Sequence, residues 1–190
     1  MKKKLFLLIL PIFLTSLMLT GCKKNQEETP DVSSSSLSDE GSPVTPLAPD
    51  ASLVALNTDK GQILIELFPS LAPNTVKNFL EKANSGFYSG LTFHRVESWV
   101  VQGGDPEGTG AGGATQPTEL SQEPFRLGSV GIARGQDINI SNDSQFFICT
   151  EDCSWLTGQY TLLGEVVSGL DIAQKVQIGD KILSISASTK

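Results

Sequence analysis

The first candidates for covalent or ligand chemistry are a histidine, a glycine-rich run and a pair of cysteines. Its one histidine, His94, sits in an apolar stretch between Phe93 and Val96. Catalytic triads and Cys/His zinc sites both need a histidine with partners, so His94 reads as a structural residue with its hydrogen bonds met. The run from Gly103-Gly104-Asp105 to Gly112-Gly113 lacks the Gly-Lys-Ser/Thr ending of a phosphate loop and reads as a flexible turn. Cys149 and Cys153 have three residues between them. A bridge needs Cα atoms within about 4.4–6.8 Å, which a loop there permits, while Cys149 as an unbridged, buried strand residue is the other reading. None of these features names a reaction.

Four short motifs stand out in the chain. Phe93-His94-Arg95-Val96 is followed by Val101-Gln102-Gly103-Gly104-Asp105, then by Ser144-Gln145-Phe146-Phe147-Ile148 and Trp155-Leu156-Thr157-Gly158-Gln159-Tyr160. In order and approximate spacing they resemble the signature of the cyclophilin family of peptidyl-prolyl cis-trans isomerases. The resemblance runs over residues 52–187 and includes Thr75-Val76-Lys77-Asn78-Phe79 and Gly164-Glu165-Val166-Val167-Ser168-Gly169. It implies a mainly β fold, a closed eight-stranded antiparallel barrel capped by two α-helices, with the active site in a groove on the outside. It also implies rotation about X-Pro bonds, for which no metal or cofactor is needed.

The resemblance assigns roles. Arg95 matches the catalytic arginine, whose planar, permanently charged fork can donate to the proline nitrogen in the twisted state. Gln102 and Gln145 would hold the peptide backbone. Phe147, Leu156 and Trp99 would wall an apolar pocket for the proline ring, with Val100 also at the substrate and Phe146 in the core. Ala133 and Arg134 match the strand that pairs with the substrate. Trp155 matches a groove-edge tryptophan linked to cyclosporin binding, so cyclosporin-type inhibitors are expected ligands to test. The chain also departs from the pattern. Six residues separate Arg95 from Gln102 where the most familiar members have seven, and a Pro-Gly is absent. Aligned from the Gln side, Trp99 replaces a phenylalanine and Val100 a methionine. Arg134 stands where many members have asparagine, and Tyr160 where many have histidine. Activity should survive these changes, which bear on peptide preference and inhibitor affinity.

The elements that must position these groups are legible as periodicities. Ile63, Ile65 and Leu67 alternate, and Leu53–Leu56 joins them across Asn57-Thr58-Asp59-Lys60-Gly61, which predicts a hairpin. Val76, Phe79, Leu80 and Ala83 fall at helical spacing, with Pro73 suited to the first turn and Gly86 to the stop. Further strands are expected at 91–96, 100–103, 129–133, 145–149, 162–167 and 182–185, and a short helix at 169–176. Many short strands with turn signals suggest a sandwich or a closed barrel.

The N-terminal quarter has another character. Lys2, Lys3 and Lys4 precede an apolar run from Leu5 to Leu19, too short and interrupted to span a bilayer permanently. Residues 1–21 read as a signal peptide, and Leu19-Thr20-Gly21-Cys22 is similar to a bacterial lipobox, with lipid expected on Cys22. Residues 22–50 are rich in Ser, Pro and acidic side chains and read as a disordered tether, reaching on the order of 30 Å. Residues 51–190 are then one domain with a core of its own. Removing residues 1–21 takes three of the 14 basic side chains and none of the 21 acidic ones, leaving a balance of −10. So acidic a chain is a poor partner for nucleic acid or anionic lipid headgroups, and attachment to a membrane would fall to the lipid. Expected partners are therefore proline-containing polypeptides and, through Cys22, a bacterial membrane facing the periplasm or the exterior, with the protein acting as a monomer. Two other readings use the same scaffold: a module that binds proline segments without turnover, and a surface lipoprotein used in adhesion.

Overall fold

The computed structural model describes residues 53–187. The expected signal peptide, Cys22 and tether lie outside the described residues. The described residues begin with the hairpin β1 (Leu53–Thr58) and β2 (Gly61–Leu67), closed by the two-residue turn Asp59-Lys60, after which Gly61 takes a φ of +132°. Helix α1 (Pro73–Asn84) follows, burying Val76, Phe79, Leu80 and Ala83 on one face. Its own first turn supplies no capping side chain. Instead Glu119, far along the chain, accepts the backbone N–H groups of Asn74 (3.2 Å) and Thr75 (2.8 Å). That satisfies two of the donors a helix N-terminus leaves open and places a negative charge at its positive end.

Next come β3 (Arg95–Glu97), β4 (Val100–Gly103), β5 (Thr115–Pro117), β6 (Ser129–Arg134) and β7 (Ile140–Cys149). A single 3-10 turn at Ser154–Leu156 precedes β8 (Leu162–Ser168), α2 (Leu170–Ala173) and β9 (Ile182–Ala187). All ladders are antiparallel, and the strands form one curled sheet in the order β3-β4-β7-β6-β8-β2-β1-β9, with β5 paired to the start of β7.

The closed barrel expected from the resemblance is corrected by this order: the sheet is an open, curled half-barrel with β3 and β9 at its two edges. The ends approach through the bridge Thr92↔Lys181 and the bonds Phe93 N–H to Asp180 O and Ile182 N–H to Leu91 O. The expected strand at 91–96 shrinks to Arg95–Glu97, which pairs with β4 alone, so no ladder joins the edges. The other late discrepancy is β7, which starts at Ile140 rather than at Gln145.

Side-chain alternation divides the interior in two. Val101, Phe146, Ile148, Val130 and Ile132 point into the main core with Ile63, Ile65, Phe79, Leu80 and Phe93. Their neighbours Val100, Phe147, Cys149 and Leu162 point to the opposite face, where Phe125, Cys153 and Leu156 cover them. Both faces of β4 and of the end of β7 are therefore buried, which explains why they read as continuous rather than alternating apolar runs. Each fully buried Leu, Ile or Phe contributes about 1.5–3 kcal/mol. The main core holds the sheet, and the smaller cluster shapes the outer face.

Candidate active site

Register brings the chemistry-bearing residues together. Arg95 of β3 lies opposite Gln102 of β4, Gln102 opposite Phe147 of β7, and Phe147 opposite Gly131 of β6, which in turn faces Leu162 of β8. Directly opposed residues share a face. One transverse row across five strands thus places a cation, an amide and an aromatic ring side by side. The vacancy in the row is required: a Cβ on Gly131 would run into the Phe147 ring and come within 2.8 Å of Phe125.

The row opens into a small recess of about 90 Å³ lined by Arg95, Trp99, Val100, Gln102, Ala133, Arg134, Phe147, Leu156 and Tyr160. Phe147 forms an apolar wall, stacked on Phe125 (5.9 Å between centroids) and met edge-on by Tyr160 (5.7 Å). Val100 is buried behind Trp99, and Leu156 is delivered by the 3-10 turn. Arg134 lays its guanidinium over the Tyr160 ring at 4.4 Å and donates to the carbonyls of Gln159 and Gly135, both at 2.8 Å. Ala133 falls at the register irregularity between Ile132 and Arg134, where the β6–β7 ladder is interrupted.

Two of the residues expected at the site stand outside the recess. Trp155 is on the rim, 56 % exposed and edge-on to Trp99 at 5.5 Å. Gln145 is buried beside the recess, where it lines an adjoining cavity of about 380 Å³ that shares Gln102, Ala133 and Arg134 with the recess. Its amide is committed internally, donating to Gly112 O (2.8 Å) and accepting from Gln102 Nε2 (2.9 Å). Gln102 Oε1 in turn accepts from Arg95 Nη1 at 3.2 Å. A guanidinium only donates, so the amide orientations along this chain are set by Arg95 at one end and a carbonyl at the other. The glycine-rich loop supplying that carbonyl is itself pinned by Asp105, whose buried carboxylate accepts the N–H groups of Glu107 and Gly110. Burial pushes the Asp105 pKa up, but the backbone donors outweigh it and leave the carboxyl below its ordinary value.

His94 is not the satisfied residue expected, because neither ring nitrogen has a hydrogen-bond partner among the described residues. Burial lowers its pKa; Asp105 and Gln145 oppose that shift and Arg95 adds to it. Cys149 and Cys153 are both fully buried and joined as a disulfide, with Cα atoms 6.2 Å apart. The bridge ties the end of β7 to the turn carrying Trp155 and Leu156. Among the described residues, no three His, Cys, Asp or Glu side chains converge on a metal position.

Sequence reasoning missed two residues of this site. Phe125, the second ring of the stack behind the recess, comes from a loop with no periodic signal. Glu97 bonds both Arg95 and Trp99. Its signal was present in the spacing, since Arg95, Glu97 and Trp99 occupy every second position.

The chain is similar to known proteins of one family. The family model described as cyclophilin type peptidyl-prolyl cis-trans isomerase matches residues 53–186. A peptidyl-prolyl cis-trans isomerase of Synechococcus elongatus is 40% identical over 140 residues, covering 70% of this chain and 94% of the relative. A crystal structure of a cyclophilin type peptidyl-prolyl cis-trans isomerase of Cryptosporidium parvum superposes with a TM-score of 0.68 at 29% identity, covering 74% of this chain and 99% of that one. A second structure of that protein, in the presence of the dipeptide Ala-Pro, gives a TM-score of 0.66 at 29% identity and covers 73% of this chain and 99% of its own.

Proposed function

The chain belongs to the family of cyclophilin-type peptidyl-prolyl cis-trans isomerases, and from that premise we propose how its recess does the work and where. The reaction is slow unaided because amide resonance gives the C–N bond a rotation barrier of about 18–20 kcal/mol. Nothing covalent has to change; the enzyme needs only to bind the twisted bond better than either planar form. In the twisted state the proline nitrogen regains a lone pair, and Arg95 is the donor for it. Phe147, Leu156 and Trp99 take the ring, which lacks a donor of its own. The interrupted ladder at Ala133, with Arg134 beside it, offers backbone to the peptide. Gln102 holds Arg95 and reaches the peptide with its remaining valence, while Gln145 supports Gln102. Trp155 on the rim is the contact for cyclosporin-type inhibitors.

The observation that carries this reading is the single row holding Arg95, Gln102 and Phe147 on one face. Its test is isomerisation of an Ala-Pro peptide by the wild-type chain and by Arg95→Ala. Loss of one donor aimed at developing charge typically costs about 10²–10³ in rate. Equal rates for the two proteins would remove Arg95 from the mechanism.

The place of action is an exported, lipid-anchored one, with exported polypeptides as clients. The support is in the order of Lys2–Lys4, the apolar run to Leu19, and Leu19-Thr20-Gly21-Cys22. Metabolic labelling with a radioactive fatty acid should mark the wild-type chain and leave Cys22→Ser unlabelled. Equal labelling of both would end the lipoprotein reading.

A further inference from the structure

The hairpin of β3 and β4 is the section where this chain departs most from the family pattern, and its turn is tight. Glu97 pairs with Val100, leaving Ser98 and Trp99 at the corner. Arg95 and Glu97 thus share a face of β3, and Trp99 follows them in the turn. The Glu97 carboxylate uses both oxygens there. Oε1 accepts from Arg95 Nε at 2.8 Å, and Oε2 accepts from the indole Nε1–H of Trp99 at 3.0 Å. The guanidinium also stands over the Trp99 ring, at 5.3 Å from its centroid. On the other side, Arg95 Nη1 is held by Gln102. Two bonds from different edges of a rigid plane fix both its tilt and its rotation. Nη2 alone has no partner among the described residues, and with the spare N–H of Nη1 it is what remains for a bound peptide.

We propose that Glu97 is a positioning residue for the isomerisation, clamping Arg95 and Trp99 into one unit so that the donor and the proline wall are preset. This rests on the reading of Arg95 as the catalytic donor. Without the clamp, a side chain with four rotatable bonds would have to be ordered anew in each turnover, at an entropic cost to the rate. The opposing effect is electrostatic, because a carboxylate withdraws part of the charge that Arg95 offers. Arg95 and Glu97 are 42 % and 47 % exposed, so solvent and salt screen that withdrawal. Geometry does not screen, and it therefore decides the sign. The hydrogen bond from Arg95 keeps the Glu97 carboxyl below its ordinary pKa, so it is ionised at neutral pH.

The test is a kinetic cycle on the full chain in mild detergent, with Ala-Pro peptide exchange followed by NMR to separate kcat from KM. The variants are Glu97→Ala, Glu97→Gln, Arg95→Ala and the double Arg95→Ala/Glu97→Ala. Glu97→Ala should lower kcat about two- to fivefold, the scale of an exposed ion pair, with little change in KM. Glu97→Gln should fall between, since its amide can accept from Arg95 but presents a donor to the Trp99 N–H. In the Arg95→Ala background, loss of Glu97 should cost clearly less, since only its hold on Trp99 remains. The Nε–H resonance of Arg95, identified by its absence in Arg95→Ala, should exchange faster with water in Glu97→Ala. An unchanged or raised kcat in Glu97→Ala, or an equal loss in both backgrounds, overturns the proposal. A wild-type rate in Arg95→Ala overturns the premise and the proposal with it, and is told apart because the Nε–H signal still reports whether the clamp exists.

Discussion

A single methyl group added at Gly131 strikes the wall of the recess. The Cβ of Gly131→Ala would lie 2.8 Å from Phe125 Cε1 and 2.9 Å from Phe147 Cε1, with the tip of the Phe147 ring closer still. Phe147 cannot simply swing aside, because Phe125 stacks behind it and Tyr160 meets its edge. Forcing extra volume into so tight a place costs about 1–3 kcal/mol. For a domain of this size that is a fall in Tm on the order of 5–10 °C. The rate should suffer as well, since a displacement of about 1 Å at a reacting site can cost on the order of 10². Thermal unfolding and Ala-Pro isomerisation read the two effects separately. A second variant checks the cause: in a Phe147→Leu background only the Phe125 contact remains, so the penalty should shrink and the two changes should not add. A Tm within about 1 °C of wild type together with an unchanged rate would refute the packing argument. So would an equal penalty in both backgrounds, because the clash would then not involve Phe147.

Two other perturbations probe the surroundings of the row. His94 is the only histidine, so its ring signals in an NMR titration are unambiguous, and they should give a pKa below the ordinary value of about 6.5. Because the folded state favours the neutral ring, the unfolded chain binds the proton first; stability from His94 is complete above about pH 6.5, declines below it, and levels off once the folded ring protonates. A ring that titrates at or above 6.5 would contradict the burial argument. The bridge Cys149–Cys153 closes a loop of only five residues, a sequence separation of 4. Its removal in Cys149→Ser/Cys153→Ser should cost about 2 kcal/mol, read as a lowered urea midpoint, and an unchanged midpoint would show that the bridge constrains nothing.

The hairpin β1–β2 and helix α1 were legible because each is written in local spacing, while Arg95, Gln102 and Phe147 were legible only through motifs resembling a known family. Alternation and helical periodicity survive without knowledge of neighbours. The start of β7 was not legible: Ser141-Asn142-Asp143-Ser144 has the composition of a turn. There the Asn142 side chain takes the N–H groups of Ser144 and Gln145, while β5 and Arg134 supply strand pairing from outside. Tertiary partners override local preference in that stretch. Strand β5 is three residues ending in proline, below the length at which any period can be counted. The open edge was invisible for a similar reason, since whether two edge strands meet depends on curvature rather than on composition. At the site, Phe125 carried no local sign of the ring it would stack on. Glu97 did carry one, in its alternation with Arg95 and Trp99, and only the contacts reveal what that alternation holds.

The transverse row has a consequence for how the chain comes to life. Positions 95, 102, 131, 147 and 162 are scattered along the sequence and meet only when four ladders are zipped in register. A slip of one residue in any ladder would turn that strand's share of the row into the core. Collapse and helix formation are fast and local, whereas distant strand pairings are slow. During refolding, helical signal and compactness should therefore return well before isomerase activity. This enzyme, whose substrate is another chain's slow folding step, becomes competent only when the four ladders behind its row are in place.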